Sequence, residues 1–136
     1  MNEYIIFAET ACDIKPELLA EWGVPYESLT FKFDDSDTVY KNNDMTAAEF
    51  YDKMKAGGIA KTAAANPEVF EIAFEKVLAE GKDILYLGFS SGLSTTFNSA
   101  RIAANELREK YPDRKLIVID TLAASAGIGL LIRLVL

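Results

Sequence analysis

The sequence contains no histidine and a single cysteine, Cys12. These two shortages remove most catalytic machinery at once. A Ser-His-Asp triad or a Cys-His dyad needs an imidazole that titrates near neutral pH. Zinc sites draw their ligands chiefly from His and Cys. A lysine or carboxylate base would still serve a serine nucleophile, so enzyme chemistry is narrowed rather than abolished. One cysteine cannot form an internal disulfide, which fits a reducing, cytoplasmic compartment.

Long hydrophobic runs are missing too. Although 50% of the residues are apolar, no uninterrupted run approaches the roughly 20 residues that span a bilayer. Met1-Asn2-Glu3 carries no positive region, and the apolar run from Tyr4 to Ala8 is too short for a signal peptide. Positive charge is scarce: 14 Lys and Arg stand against 21 Asp and Glu, for a net charge of −7. Nucleic-acid phosphates call for a basic face, so nucleic acid is not an expected partner. The phosphate-binding signatures Gly-x-x-x-x-Gly-Lys-Ser/Thr and Gly-x-Gly-x-x-Gly are both absent.

What remains is a chain of 136 residues with alternating strand and helix patterns. Tyr4 to Ala8, Ile84 to Leu87 and Leu116 to Ile119 are short apolar runs of the kind that form buried strands. Leu29, Phe31 and Phe33 alternate with polar residues, the pattern of a half-buried strand. Glu9 to Asp13 reads as a polar turn, and a helix follows from Pro16 toward Gly23. Thr46-Ala47-Ala48-Glu49 has capping-box spacing, and Asn66-Pro67 opens a helix with a stripe of Val69, Phe70, Ala73, Phe74, Val77 and Leu78. A further helix is predicted from about Thr95 to Tyr111, and another from Ala123 to Leu136.

Strands alternating with helices imply βαβ units. The expected fold is a three-layer α/β/α domain of Rossmann-like character, with the strands at 4–8, 84–88 and 116–119 adjacent and parallel. The last helix crowds Leu130, Leu131, Ile132, Leu134, Val135 and Leu136 together with Arg133 as its one charge. One helix stripe covers only part of that surface. A partner, a second copy of the chain among them, is therefore expected to meet this helix.

The strongest chemical feature is Phe89-Ser90-Ser91-Gly92-Leu93-Ser94, between a strand and a helix. Ligands of open α/β sheets bind beyond the carboxyl ends of the strands. A helix start there offers free amides and a partial positive charge to an anion. Gly92 suits a close backbone turn, and Ser94 and Thr95 add hydroxyl donors. A serine in this position also serves simply as an N-cap. Three functional classes stay open on these residues. The first is carriage of a small anionic ligand without catalysis. The second is an acyl-transfer enzyme using Ser91 or Ser94 with a lysine base such as Lys61. The third is a phosphate- or nucleotide-binding module.

Four segments together resemble the DegV family of fatty-acid-binding proteins. They are Ala8-Glu9-Thr10-Ala11-Cys12-Asp13, Thr62 ahead of an Asn-Pro helix start, the stretch from Phe89 to Ala100, and Val118-Ile119-Asp120-Thr121-Leu122-Ala123-Ala124-Ser125. The resemblance runs in order through nearly the whole chain but covers only the family's amino-terminal domain, which it implies over residues 1–121, with residues 122–136 as the start of a helix connecting to a second domain. It implies a long-chain fatty acid as ligand, no cofactor and no catalysis by the chain itself. It implies Thr62 and Ser94 as the hydroxyls on the acyl carboxylate, with Ser91 beside them. It also implies presentation of the bound acid to a separate fatty-acid kinase, and basic head-group partners in a second domain. The chain departs from the family pattern at Ala63-Ala64-Ala65-Asn66, at Glu9-Thr10 and at Thr95.

Overall fold

A computed structural model describes residues 3–136. Seven strands and five α-helices follow in the order β1 (Tyr4–Glu9), α1 (Pro16–Glu21), β2 (Tyr26–Glu27), β3 (Thr30–Phe33), β4 (Tyr40–Lys41), α2 (Ala47–Lys55), β5 (Ala60–Ala63), α3 (Pro67–Ala79), β6 (Asp83–Gly88), α4 (Thr96–Lys110), β7 (Leu116–Asp120) and α5 (Ala126–Val135). A short 3-10 turn, Thr10–Cys12, sits between β1 and α1. The main sheet has the order β2-β1-β6-β7, and every pairing in it is parallel. The three apolar runs therefore lie side by side and parallel, as their buried character predicts.

Helices cover both faces. On one side Phe70, Phe74 and Leu78 of α3 join Ala100, Ala103, Ala104 and Leu107 of α4 over Phe7, Ile84, Tyr86 and Leu116. Phe7 and Phe74 meet edge-on with centroids 5.1 Å apart, and Phe70 meets Tyr86 at 5.4 Å. Such pairs add about 0.5–1.5 kcal/mol each beyond area burial. The small alanines of α4 let the helix approach the aromatic layer closely. On the other side Leu19 of α1 and Ile128 and Ile132 of α5 pack over Ile6, Ala8 and Leu87.

Two expectations are corrected, at Glu9 and in β7. Glu9 belongs to β1 and is fully buried, not part of a polar turn. In β7, Leu116 packs inward, but Ile117 is 50% and Ile119 42% exposed, because α5 lies over β1 and β6 and leaves the edge strand's outer face open. The strand containing Phe31 and Phe33 does not join the main sheet. It forms the centre of a second, antiparallel sheet, β4-β3-β5, with Thr30 opposite Ala63 and Phe31 opposite Thr62. Phe31, Phe33, Tyr40 and Phe50 give this lobe its own aromatic cluster, with Phe31 and Phe50 edge-on at 5.2 Å. The helix above it, α2, is held at its start by the full capping box of Thr46 and Glu49.

Residues 122–136 pack on the same core as residues 4–121. Ile128 and Ile132 of α5 are fully buried, while Leu130 (61%) and Leu134 (71%) face outward. Gly129 lies against the loop after β1: a Cβ there would come within 2.6 Å of Ile14 Cδ1.

Gly88, at the end of β6, is enclosed by two rings. A Cβ there would approach Phe97 Cδ2 to 2.7 Å and Tyr86 Cε1 to 2.8 Å. Tyr86 is fully buried and cannot swing away. Gly88→Ala is expected to cost about 1–3 kcal/mol of stability through overpacking, read as a lower urea midpoint at unchanged m-value.

Candidate functional site

The parallel sheet brings the carboxyl ends of β1, β6 and β7 to one edge, and the three following loops are tied together there. Ser90 N–H donates to the Ala123 carbonyl at 3.0 Å, and Ser125 N–H to the Ala11 carbonyl at 3.0 Å. Thr121 Oγ1 donates to the Gly88 carbonyl at 2.7 Å. Asp120 accepts the Ser91 and Leu122 amides at 3.1 and 3.2 Å. A hydrogen bond from the Ser91 side chain, helped by these amides, holds the Asp120 carboxyl below the usual carboxylate range.

Underneath lies Glu9. Its Oε1 accepts the Tyr86 hydroxyl at 2.9 Å and the Phe89 amide at 2.6 Å, and its buried Oε2 has no partner among the described residues. Burial pushes the Glu9 carboxyl upward despite these two donors, and burial likewise pushes the Tyr86 phenol up. Phe89 begins the serine turn, so the buried carboxyl fixes where that turn leaves the sheet.

Between these loops and the second lobe is a cleft of about 400 Å³. Thr62 lines it from β5 and Ser94 from the serine turn, with Leu29, Phe89 and Leu93 as apolar wall. A neighbouring cleft of about 680 Å³ shares Asp13, Asn42 and Thr62 with it and runs between α1 and α2. Ile14, Leu19, Phe31, Met45 and Phe50 supply much of its apolar lining. Among the described residues, three non-glycine residues have positive φ, Asp13, Leu122 and Ser125, each at 52°, and all lie in the loops bordering the smaller cleft. Such conformations gather at ligand sites, where surrounding structure maintains the strain.

The structure thus brings Thr62 and Ser94 to one cleft and leaves the other expected residues outside it. Ser91, Gly92 and Thr95 are exposed and line neither cleft. Gly92 has no positive φ, and a Cβ there would meet nothing nearer than Ser90 Oγ at 3.5 Å, so the turn does not require glycine. The helix start is less open than its sequence suggests. Leu93 and Ser94 amides donate to the Ser90 carbonyl, and the Thr96 amide donates to Ser94 Oγ at 3.1 Å. Lys61 alternates with Thr62 along β5 and therefore faces the opposite side. It lines neither cleft, so a serine–lysine pair is not assembled.

Sequence reasoning missed Asp13, Asn42 and Ser125 of the smaller cleft, and Glu9 beneath it. Asp13 is the single charged residue of that lining. Ser125 caps α5 by position, yet makes no side-chain cap hydrogen bond. Asp13 and Ser125 end two of the segments that carry the family resemblance, Glu9 is a carboxylate directly after an apolar strand, and Asn42 left no signal.

An open-edged parallel α/β unit with a cleft at its strand ends defines a ligand-binding class of fold. The DegV family model matches residues 4–135, and the chain belongs to that family. It is 37% identical over 133 residues to a DegV domain-containing protein of Clostridium perfringens, covering 97% of this chain and 46% of the relative. A DegV domain-containing protein of Streptococcus pyogenes is 34% identical over 131 residues, with coverages of 94% and 45%. Among solved structures, a stearic acid-binding protein from Eubacterium ventriosum superposes with a TM-score of 0.85 at 27% identity, covering 97% of this chain and 47% of that one. A fatty-acid-binding DegV family protein from Thermus thermophilus gives 0.83 at 28% identity, with 98% and 45%. The chain spans about half the length of the curated relatives it matches.

The Glu9 environment sets a pH dependence with a definite sign. Its folded pKa lies above the unfolded value, so ionisation is disfavoured in the folded state. That penalty is absent below the unfolded pKa and grows as pH rises through the folded one. Glu9→Gln retains an acceptor for Phe89 and Tyr86 but carries no charge. Wild type is expected to lose stability relative to Glu9→Gln as pH rises from acid to neutral, measured by thermal unfolding of both proteins across that range. A constant difference across pH would show that the buried carboxyl does not titrate differently in the two states.

Proposed function

We propose that this chain binds a long-chain fatty acid without catalysing a reaction on it, with the carboxylate held by Thr62 and Ser94. The observation that carries the reading is that Thr62 and Ser94 line one cleft, which shares Thr62, Asp13 and Asn42 with a larger one walled in part by Ile14, Leu19, Phe31, Met45 and Phe50. Fatty-acid binding by the similar proteins from Eubacterium ventriosum and Thermus thermophilus supports the choice of ligand.

Magnitudes assign the parts. Burial of a methylene contributes about 0.8 kcal/mol, so a long tail offers roughly 10 kcal/mol before ordering costs. A hydrogen bond to a charged group contributes about 1.5–3 kcal/mol. The tail supplies affinity, and the two hydroxyls orient the head group. A phosphate or nucleotide fits this lining less well, since the cleft has Asp13 and no Lys or Arg to offset a dianion. The carrier role, and a fatty-acid kinase acting on the acid the protein presents, rest on the family resemblance, and the single Cys12 supports a cytoplasmic place of work. The outward Leu130 and Leu134 of α5 support a protein surface covering that helix, a second copy of the chain included.

Calorimetric titration with palmitate tests the head-group assignment. Thr62→Ala and Ser94→Ala are each expected to weaken palmitate binding about tenfold or more, and to leave palmityl alcohol unaffected. Equal palmitate affinity in all three proteins would move the carboxylate elsewhere, and binding of ATP without binding of palmitate would favour the nucleotide module. For α5, sedimentation in lipid-free buffer is expected to show self-association that Leu130→Glu with Leu134→Glu abolishes.

A further inference from the structure

Resting on the head-group reading above, we infer that Thr96 is a positioning residue whose hydroxyl donates to Ser94 Oγ and so aims the Ser94 proton into the cleft. Thr96 is fully buried at the first turn of α4. Among the described residues its Oγ1 has one hydrogen-bond partner, Ser94 Oγ, at 3.0 Å. Two arrangements of hydrogens satisfy that distance, and heavy atoms alone do not choose between them. Burial does. If Ser94 donated to Thr96, the Thr96 proton would be left without an acceptor in a site closed to water, which costs about as much as a lost hydrogen bond. If Thr96 donates to Ser94, nothing buried is orphaned.

The count at Ser94 then closes. A hydroxyl oxygen has two acceptor sites and one proton. One site takes the Thr96 amide at 3.1 Å and the other takes the Thr96 hydroxyl. The remaining Ser94 proton has only the cleft that Ser94 lines. Two donors pointing at one oxygen also polarise its O–H bond and make it a better donor. Ser94 is in this way prepared to meet an acceptor and nothing else, which selects a carboxylate over a ligand that must itself donate. The sequence conceals this, because Thr95 and Thr96 are adjacent threonines and only the second is turned inward.

Palmitate titration of wild type, Thr96→Val, Thr96→Ser, Ser94→Ala and the Ser94→Ala/Thr96→Val double variant decides the matter. Valine keeps the shape and burial of threonine, so the fold is retained, and thermal unfolding checks it. Thr96→Val is expected to weaken palmitate about threefold to tenfold, and Thr96→Ser to restore it. In the Ser94→Ala background, Thr96→Val is expected to have no further effect, since its action passes through Ser94. Unchanged or tighter binding by Thr96→Val overturns the inference, because it means that Ser94 had been donating to Thr96. Full additivity of the two changes also overturns it. If Ser94→Ala itself leaves palmitate affinity unchanged, the head-group site is wrong, and this inference goes with it; that outcome is read from a different variant.

Discussion

Everything at the carboxyl edge of the sheet depends on one buried carboxyl. Glu9 ends β1 inside the protein and accepts the hydroxyl of Tyr86 and the amide of Phe89. Tyr86 belongs to the aromatic layer beneath α3 and α4, and Phe89 opens the serine turn. The same oxygen therefore joins two neighbouring strands, the core and the ligand-facing loop. An apolar residue at position 9 would remove the acceptor of the part-buried Phe89 amide and leave the buried Tyr86 hydroxyl unpaired, with a penalty of about 1–3 kcal/mol for the buried group. The carboxyl is costly to bury, and it is retained where three elements need one shared acceptor.

With the serine turn anchored from below, its own hydrogen bonds decide which hydroxyls face the cleft. Ser90 gathers the amides of Leu93 and Ser94, Asp120 takes the amide of Ser91, and Thr96 addresses Ser94 through its amide. The turn spends its polar groups on itself and on its neighbours, and Ser94 is the hydroxyl it presents at the cleft. Across the cleft the second lobe supplies Thr62 from a strand whose register is fixed by Phe31 opposite it. Phe31 is locked in turn by edge-on or stacked contacts with Phe33, Tyr40 and Phe50. Each hydroxyl is positioned by a different core, so the distance between them follows the relation of the two lobes.

The parallel sheet was legible in the sequence because strands buried on both faces read as continuous apolar runs, as at Ile84 to Leu87. The capping box at Thr46 and the Asn66 cap were legible because local hydrogen bonding fixes them. The antiparallel lobe was not. Its strands β4 and β5 are two and four residues long, and Ala60–Ala63 has no periodic pattern that a four-residue window could reveal. The exposure of Ile117 and Ile119 was hidden for a related reason: β7 has the composition of an interior strand, and only the position of α5 leaves one of its faces open.

Of the candidate site, Thr62 and Ser94 were reached through resemblance, and chemistry alone would have ranked Ser91, Gly92 and Thr95 beside them. The difference between these residues lies in the turn's internal bonding. Composition does not record which of two adjacent threonines is buried, nor that Ser91 faces Asp120 from a distant strand end. Glu9 illustrates the opposite case, in which a local rule is broken visibly. A carboxylate directly after Ile5-Ile6-Phe7-Ala8 conflicts with the apolar pattern of its strand, and natural sequences carry such conflicts chiefly at sites where the surrounding structure has a use for them. The three left-handed residues at the cleft rim belong to the same class of exception, but backbone strain at Asp13, Leu122 and Ser125 leaves no mark on residue type. A polar residue out of pattern is therefore the sequence-level trace of this site, and the geometry around it supplies what the trace cannot.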